Sequence, residues 1–181
     1  DVRGEIDIDK NNNIYIATSS RSADFPVVGN VFQPTLDSLQ EGVIIKMDNQ
    51  LSNMIWSSFL GGRGLDAIYS LALDTDDNIY VTGGTTSNNF PTSTNGLHPN
   101  YLDSLLADAF VSYISKDGTQ IISSTYFGSD SYDQAFFVEL DESQNVYLFG
   151  QTKASGNTLI YQTNYNVPGG GEFISKLSKN L

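Results

Sequence analysis

The sequence predicts an all-β fold, and three observations support that prediction. Tyr and Phe are abundant, only 17% of the residues are charged, and turn-forming residues separate short apolar runs, a composition typical of many short strands joined by turns. A landmark, Asn-(Ile/Val)-Tyr, recurs at residues 13–15, 78–80 and 145–147. Its steps are 65 and 67 residues by subtraction, a period that suits a repeated unit of several strands.

Further columns align with this landmark and define three tandem units, at residues 1–62, 63–129 and 130–181. The aligned columns include Asp1, Asp66 and Asp133; Asp9, Asp74 and Asp141; and the runs Gly42–Met47, Ala109–Ile114 and Glu172–Leu177. The closing run Ser57–Gly62 matches Ser124–Ser129 and has no counterpart in the third unit. We therefore expect the third unit to lack its outermost strand.

Each complete unit contains four short β-type runs bounded by turn residues. In the middle unit they are Ile68 to Leu73, Ile79 to Thr85, Ala109 to Ile114 and Ile121 to Phe127. Four antiparallel strands per unit, repeated at this period, predict the blades of a β-propeller. The chain is thus predicted to hold about three blades, the last incomplete, as part of a larger propeller.

The first run of each unit shows a period of two, which is typical of a strand with one buried face. Its apolar positions are Ile6 and Ile8, Leu71 and Leu73, and Val138 and Leu140. We expect this face to be core in every unit. The stretch from Asp74 to Asn78 that follows the run predicts a tight hairpin turn, in which Asx side chains bond nearby backbone amides.

These residues resemble a bacterial β-propeller family, the SBBP repeat. The resemblance rests on the middle unit: Asp74 to Asn78 with Ile79–Gly83, Phe90-Pro91, Asp108–Val111 and Ser124–Gly128. It implies a module of large secreted or cell-surface proteins of Gram-negative bacteria, common in Bacteroidota, with type IX secretion as the expected route. It implies no defined catalytic residue.

Three blades are expected to need neighbours. Propellers typically close with four to eight blades, so an isolated set of three would expose two apolar blade faces. We expect further blades, from the same parent chain or from another copy, to complete the ring.

The charge balance excludes some partners. The net charge is −12, and the nine Lys and Arg residues are scattered, so binding to nucleic acid or to an anionic membrane is not expected. No apolar run is long enough to insert into a bilayer. The absence of cysteine excludes disulfides and thiolate metal sites.

Two sets of carboxylates are candidates for calcium. Asp1, Asp66 and Asp133 precede the three innermost strands and could ring one mouth of the channel around a cation; the alternative is that each aspartate satisfies backbone amides of an inter-blade loop. The acidic hairpin turns offer Asp7 and Asp9 in the first unit, but a calcium loop starting at Asp7 would place Asn12 and Thr18 where glycine and glutamate are required. Asx turns are the better interpretation there.

No catalytic constellation is found in the sequence. His98 is the only histidine, it aligns with Gln33, and no nucleophile-elbow motif accompanies it.

Binding residues are instead expected in the long loop from Ser87 to Leu106 and in the corresponding loops of the other units, which carry Tyr101, Tyr161 and Tyr165. Trp56 could serve either as a sugar-stacking platform or for packing on the outer strand. The sequence favours a non-catalytic extracellular binding or scaffold module for adhesion or protein or glycan interaction; the alternative is a carbohydrate-active enzyme at the channel mouth.

Overall fold

The computed structural model describes residues 3–94, 96–101, 106–154 and 171–181. The strands are β1 Glu5–Ile8, β2 Ile14–Ser20, β3 Glu41–Met47, β4 Met54–Leu60, β5 Asp66–Leu73, β6 Ile79–Thr85, β7 Asp108–Ile114, β8 Ile121–Phe127, β9 Asp133–Leu140, β10 Val146–Thr152 and β11 Glu172–Leu177. Among the residues described, no helix has the length and apolar character needed to cross a bilayer.

The strands form three separate antiparallel sheets in chain order. Blade 1 is β1-β2-β3-β4, blade 2 is β5-β6-β7-β8, and blade 3 is β9-β10-β11. This confirms the all-β prediction and its blades of four antiparallel strands. The four runs predicted for the middle unit are β5 to β8, with β5 beginning at Asp66 and β7 at Asp108, slightly earlier than expected.

The core lies between the blades. One apolar cluster joins blade 1, through residues such as Tyr15 and Ile44, to Leu71 and Phe110 of blade 2. A second cluster joins the other side of blade 2 to blade 3. Because neighbouring strand residues point to opposite faces, β6 and β7 are buried along their whole length. We call the side of a blade toward the preceding blade its leading face and the other its trailing face.

The innermost strand of blade 1 corrects one prediction. Leu71 and Val138 are buried, as expected, but Ile6 and Ile8 are exposed. The alternation of apolar residues is the same in all three strands, whereas burial requires a blade packed against the leading face, and none of the described residues packs there against Ile6 and Ile8. The period of two therefore identified the correct face, but not its exposure in blade 1.

In blades 1 and 2, the described parts of the long loops between the second and third strands cover the outer edge of the sheet. In blade 1, the N–H of Ser57 on β4 donates to the carbonyl of Val28 at 3.1 Å. In blade 2, the N–H of Tyr126 on β8 donates to the carbonyl of His98 at 3.1 Å. An uncovered edge strand would present unpaired backbone groups to other chains. The described parts of these loops are thus packed on the sheet edge, which reduces the loop surface open to a ligand.

Candidate functional site: the seams between blades

The first repeated element of the seams is the Asp-x-x-x-Asn turn after each innermost strand. In blade 2, Asp74 Oδ1 accepts from the N–H groups of Asp76 at 2.8 Å and Asn78 at 2.9 Å. The turn residue Asp77 has a φ of 65°, a left-handed conformation that Asp and Asn tolerate. The hairpins of blades 1 and 3 repeat these bonds around Asp9 and Asp141. The predicted Asx turns are confirmed.

Hydrogen bonds hold these aspartates in their ionised form. Burial opposes ionisation of Asp9, but hydrogen bonds from Asn13, Lys46 and Asn11 outweigh it and lower its pKa. The pKa of Asp74 is likewise lowered, against burial, by Tyr113 and by the amides of its own turn. These carboxylates are bonded both by the amides of their own turn and by a residue of the third strand, Lys46 or Tyr113.

The tyrosine of the Asn-(Ile/Val)-Tyr landmark ties each blade to the next. The Tyr15 hydroxyl donates to the Lys116 carbonyl of blade 2 at 3.4 Å, and the Tyr80 hydroxyl donates to the Lys179 carbonyl of blade 3 at 2.7 Å. Burial raises the pKa of both phenols well above their usual value, so they remain protonated donors. The landmark therefore recurs because it builds the seam.

A side chain on the third strand of the blade, at the same aligned position in each unit, covers this tyrosine. In blade 1, Lys46 Nζ lies over the Tyr15 ring and 3.1 Å from Asp9. In blade 2, Tyr113 replaces the lysine: its ring stacks on Tyr80 with centroids 4.3 Å apart, and its hydroxyl donates to Asp74 at 2.6 Å. The substitution thus preserves both contacts of the column.

Asp66 lies inside the first seam and is almost fully buried. Its Oδ2 accepts from the Gly62 N–H at 2.7 Å and from the Ser87 hydroxyl at 2.8 Å, while its Oδ1 accepts from the Thr85 hydroxyl. Burial raises the pKa of this carboxyl, although those three donors oppose the rise. This geometry is that of an aspartate that satisfies an inter-blade loop.

Asp133 occupies the equivalent place in the second seam. Its Oδ2 accepts from the backbone N–H and the hydroxyl of Ser129, each at 2.7 Å, and burial raises its pKa. Asp1, the third member of the proposed cation ring, lies outside the described residues. Within the described part of the chain, no group of three or more His, Cys, Asp and Glu residues is placed to hold a metal ion. The calcium ring as a whole stays a prediction.

A second buried carboxyl, Glu41, accompanies Asp66 and was not singled out from the sequence. Its oxygens accept from the Asp37 N–H and from the Gln33 side-chain amide, each at 2.7 Å. A Cβ built on Gly61 would lie 2.6 Å from Glu41 Cγ and 2.7 Å from Asp66 Oδ2, so the two carboxyl side chains flank one glycine. Burial raises the pKa of Glu41 to about 7, with Asp66 adding to the rise and the Asp37 N–H opposing it.

This carboxyl pair does not resemble a glycosidase site. Both side chains are buried within the seam, whereas the acid and the base or nucleophile of a glycosidase must contact the bound sugar. The alternative of a carbohydrate-active enzyme gains no support from it.

His98 is half-buried, and burial lowers its pKa. Its backbone pairs with β8 in the way that the backbone of Gln33 pairs with β4, as the alignment of the two residues predicts.

A groove opens at the hairpin end of the seam between blades 1 and 2. It has a volume of about 470 Å³, and its polar lining includes Asn30, Lys46, Asp77, Lys116, Asp117 and Thr119. Asp117 Oδ1 accepts from the Ser115 hydroxyl at 2.6 Å and from the Thr119 N–H at 3.1 Å, which fixes the loop on one side. The groove combines carboxylate, ammonium, amide and hydroxyl groups within one concave surface.

Of the aromatic residues predicted to bind a ligand, Trp56 and Tyr101 lie among the described residues, and both pack against other aromatic rings. Trp56 is buried: its Nε1–H donates to the Lys116 carbonyl at 3.1 Å, and its ring packs edge-on to Tyr15 at 6.2 Å between centroids. It forms the floor of the groove, which favours packing over sugar stacking. Tyr101 packs on Tyr126 at 5.6 Å between centroids. Tyr161 and Tyr165 lie outside the described residues.

Comparison with known proteins supports the β-propeller fold. Residues 55–91 match the model of one protein family, described as SBBP, a β-propeller repeat. The matched segment runs from β4 of blade 1, through β5 and β6, to the Phe90-Pro91 pair. It therefore covers one full inter-blade connection with its Asx turn and tyrosine. No curated protein matches the chain.

Proposed function

We propose that this chain, which carries the SBBP β-propeller repeat at residues 55–91, is a non-catalytic binding or scaffold module of a large secreted or cell-surface bacterial protein. The proposal rests on one observation, namely which polar residues are already hydrogen-bonded within the fold and which are left to contact a ligand. Those that recur from blade to blade bond within turns and seams. The groove between blades 1 and 2 adds polar groups that do not recur, such as Asn30, Asp117 and Thr119, beside the recurring Asp9 and Lys46.

The polar residues at the repeated aligned positions are hydrogen-bonded within the fold itself. Asp9, Asp74 and Asp141 hold their turns, Tyr15 and Tyr80 bond the next blade, and Asp66 and Asp133 bond inter-blade loops. A side chain whose hydrogen-bonding groups are already paired in the interior has little to offer a ligand. Ligand contact therefore falls to exposed, non-repeated residues.

The groove supplies such residues in a form that suits a polar, extended ligand. Asn30, Asp117 and Thr119 are exposed there, together with Lys116, which aligns with Lys179 of blade 3. Mixed donors and acceptors on a rigid rim are suited to the hydroxyl groups of a glycan or to the backbone of a bound protein segment. The strong overall negative charge disfavours nucleic acid and anionic lipid. Adhesion through protein or glycan contact is the function that these features support best.

We expect removal of two groove charges to weaken ligand binding at least about tenfold, equivalent to about 1.4 kcal/mol. The test variant is Asp77→Asn with Asp117→Asn, because Asn tolerates the left-handed φ of residue 77 and keeps an acceptor at 117. Wild type is screened on a glycan array and against a displayed peptide library, and the best binder is titrated by calorimetry.

The matched control is Asp76→Asn, the adjacent exposed carboxylate of the same turn, which does not line the groove and should leave affinity unchanged. If the double variant binds the ligand as tightly as wild type, the ligand binds outside the groove. Failure of wild type to bind either library would contradict the binding role. The cellular location is tested separately, by antibody labelling of intact cells of the source bacterium.

A further inference from the structure

Two innermost strands carry an aromatic residue in a β-bulge at the same aligned position. Tyr69 is the extra residue of β5, and Phe136 is the extra residue of β9. A bulge leaves its extra residue out of the strand pairing and re-aims the side chain, and bulges are frequent beside functional sites. The two rings lie 5.9 Å apart between centroids, across the seam between blades 2 and 3, and both are only partly buried. The bulges therefore present aromatic surface to solvent.

Arg3 of blade 1 joins these rings at the inner edge of the blades. Its guanidinium carbon lies 4.5 Å from the ring centroid of Phe136 and 5.7 Å from that of Tyr69. Blade 2 separates blade 1 from blade 3, so residues of all three blades meet only where the innermost strands converge on the propeller channel. Any further blade packs on the face of a blade and leaves this inner edge facing the channel. We call Arg3, Tyr69 and Phe136 the channel cluster.

The cations of this region have no anionic partner in the described part of the chain. There, no carboxylate or carbonyl oxygen accepts from the guanidinium of Arg3, and none accepts from the ammonium of Lys153, which lies 5.4 Å from the ring centroid of Tyr132. Tyr132 is close enough to the cluster to add to the rise that burial causes in the pKa of Tyr69. Three lysines near the Asx turns, by contrast, pair with aspartates. Both charges are therefore available to an anionic ligand.

The cluster also holds an unused hydrogen-bond donor. The Tyr69 hydroxyl accepts from the side-chain amide of Gln134 at 3.1 Å, and among the described residues no acceptor takes its own proton. Burial raises the pKa of this phenol, so it stays protonated and able to donate. A guanidinium that stacks on aromatic rings keeps its N–H edge for a carboxylate, which it matches with two parallel hydrogen bonds. The cluster thus combines a carboxylate-binding edge, a neutral donor and an aromatic surface.

We propose that the channel cluster binds a uronic acid, which is a sugar ring with one carboxylate. Arg3 pairs with the carboxylate, the Tyr69 hydroxyl donates to a sugar oxygen, and the aromatic rings pack against the C–H groups of the sugar. A neutral sugar leaves the guanidinium without a partner, and the acidic side chain of a peptide has no ring face for the aromatic surface. The net charge of −12 disfavours a dense polyanion, so the ligand carries isolated carboxylates.

This site is distinct from the groove between blades 1 and 2. The groove lies at the Asx-turn end of the blades, whereas the channel cluster lies in the opposite half of the innermost strands, toward their starting ends. Binding of a uronic acid here goes beyond the function proposed for the groove and does not depend on it.

The test titrates the chain with the methyl glycoside of glucuronic acid and follows binding by calorimetry and by ligand-observed NMR. We expect wild type to bind it with a dissociation constant of about 1 mM or tighter. The methyl glycoside of glucose, which has a hydroxymethyl group in place of the carboxylate, should bind at least about tenfold more weakly, and so should a short glutamate-containing peptide. The groove variant, Asp77→Asn with Asp117→Asn, should bind the glucuronide as wild type does, so failure of this site and failure of the groove are told apart.

Arg3→Gln removes the charge, and Phe136→Leu removes the ring beneath the guanidinium while the charge remains; each should weaken glucuronide binding at least about tenfold. Arg3 is exposed and Phe136 is only partly buried, so circular dichroism should report an unchanged fold. Arg63→Gln is the matched control, because Arg63 is also exposed and its guanidinium lies over none of the described aromatic rings, and it should bind as wild type does. No binding by wild type, equal binding of the glucoside or of the peptide, wild-type affinity in either cluster variant, or an equal loss in Arg63→Gln would each overturn the proposal.

Discussion

Replacing Gly83 by alanine is expected to destabilise the chain by about 3 kcal/mol, at the upper end of the usual cost of overpacking. Gly83 lies on β6 opposite a bulge in β5, where the pairing shifts between Ile68 and Ser70. A Cβ at this position would lie 1.9 Å from the Ala67 carbonyl oxygen. That oxygen belongs to the backbone of an interior strand and cannot move without disrupting the pairing, so the methyl group forces the innermost strand off the sheet.

Chemical denaturation followed by circular dichroism measures this loss. The matched control is Gly171→Ala, because a Cβ there meets only the Thr152 carbonyl oxygen at 3.8 Å, an ordinary contact, and the free energy of unfolding should change by less than about 0.5 kcal/mol. Equal stability of Gly83→Ala and wild type would show that the bulge adjusts freely and that the glycine is not required.

The same bulge explains a pattern that the alignment already contains. Gly150 occupies the column of Gly83 in blade 3, beside the bulge in β9, and a Cβ there would lie 2.1 Å from the Gln134 carbonyl oxygen. In blade 1 the column holds Thr18, whose hydroxyl donates to the Arg3 carbonyl at 2.8 Å. Strand β1 begins only at Glu5, so no bulge stands opposite Thr18 and a side chain fits.

The strands and turns could be predicted because their signals are local. Apolar alternation marks each innermost strand, and the Asp74-to-Asn78 turn is specified by side chains that bond amides within four residues. Propeller blades then follow from repetition, since the same local signals recur three times. The exposure of Ile6 does not follow from the alternation within its strand, because burial depends on a neighbouring blade; it agrees instead with the two exposed apolar faces expected from the number of blades.

The seams and the groove were beyond prediction for a related reason. Glu41 and Asp66 come together only when two blades pack. Asp108 takes the place of the glutamate in the next blade, so no repeated glutamate marks this position in the sequence. The groove combines Lys46 of blade 1 with Asp77 and Lys116 of blade 2. Trp56 could be assigned to packing only once its contacts with Tyr15 and Lys116 were known.

The buried pair Glu41 and Asp66 should make the stability of the chain fall as pH rises. Burial raises the pKa of Glu41 from 4.5 to about 7. Between those two values the folded chain binds more protons at Glu41 than the unfolded chain does, so the free energy of unfolding decreases with increasing pH. A rise of this size corresponds to about 3 kcal/mol, present below pH 4.5 and lost by about pH 7.

Other carboxyl groups set the acid side of the profile. Asp9 and Asp74 have lowered pKa values, so the stability that they contribute is present above their usual value of 3.8 and is lost as pH falls below it. Asp66 and Asp133, whose pKa values are raised by burial, act in the same direction as Glu41. Stability should therefore be greatest near pH 4 to 5 and should decline toward neutral pH.

Glu41→Gln separates this effect from the general charge of the chain. Glutamine cannot ionise, so urea denaturation of the variant should lose most of the decline that wild type shows between pH 5 and pH 7.5. Its absolute stability is a poorer readout, because the new amide replaces an acceptor that faces the Gln33 amide at 2.7 Å. Glu142→Gln, an exposed carboxyl of the same kind, removes one charge without touching the seam and should keep the wild-type slope. A decline that is as steep in Glu41→Gln as in Glu142→Gln would show that Glu41 ionises freely, and that the seam has no preference for the protonated acid.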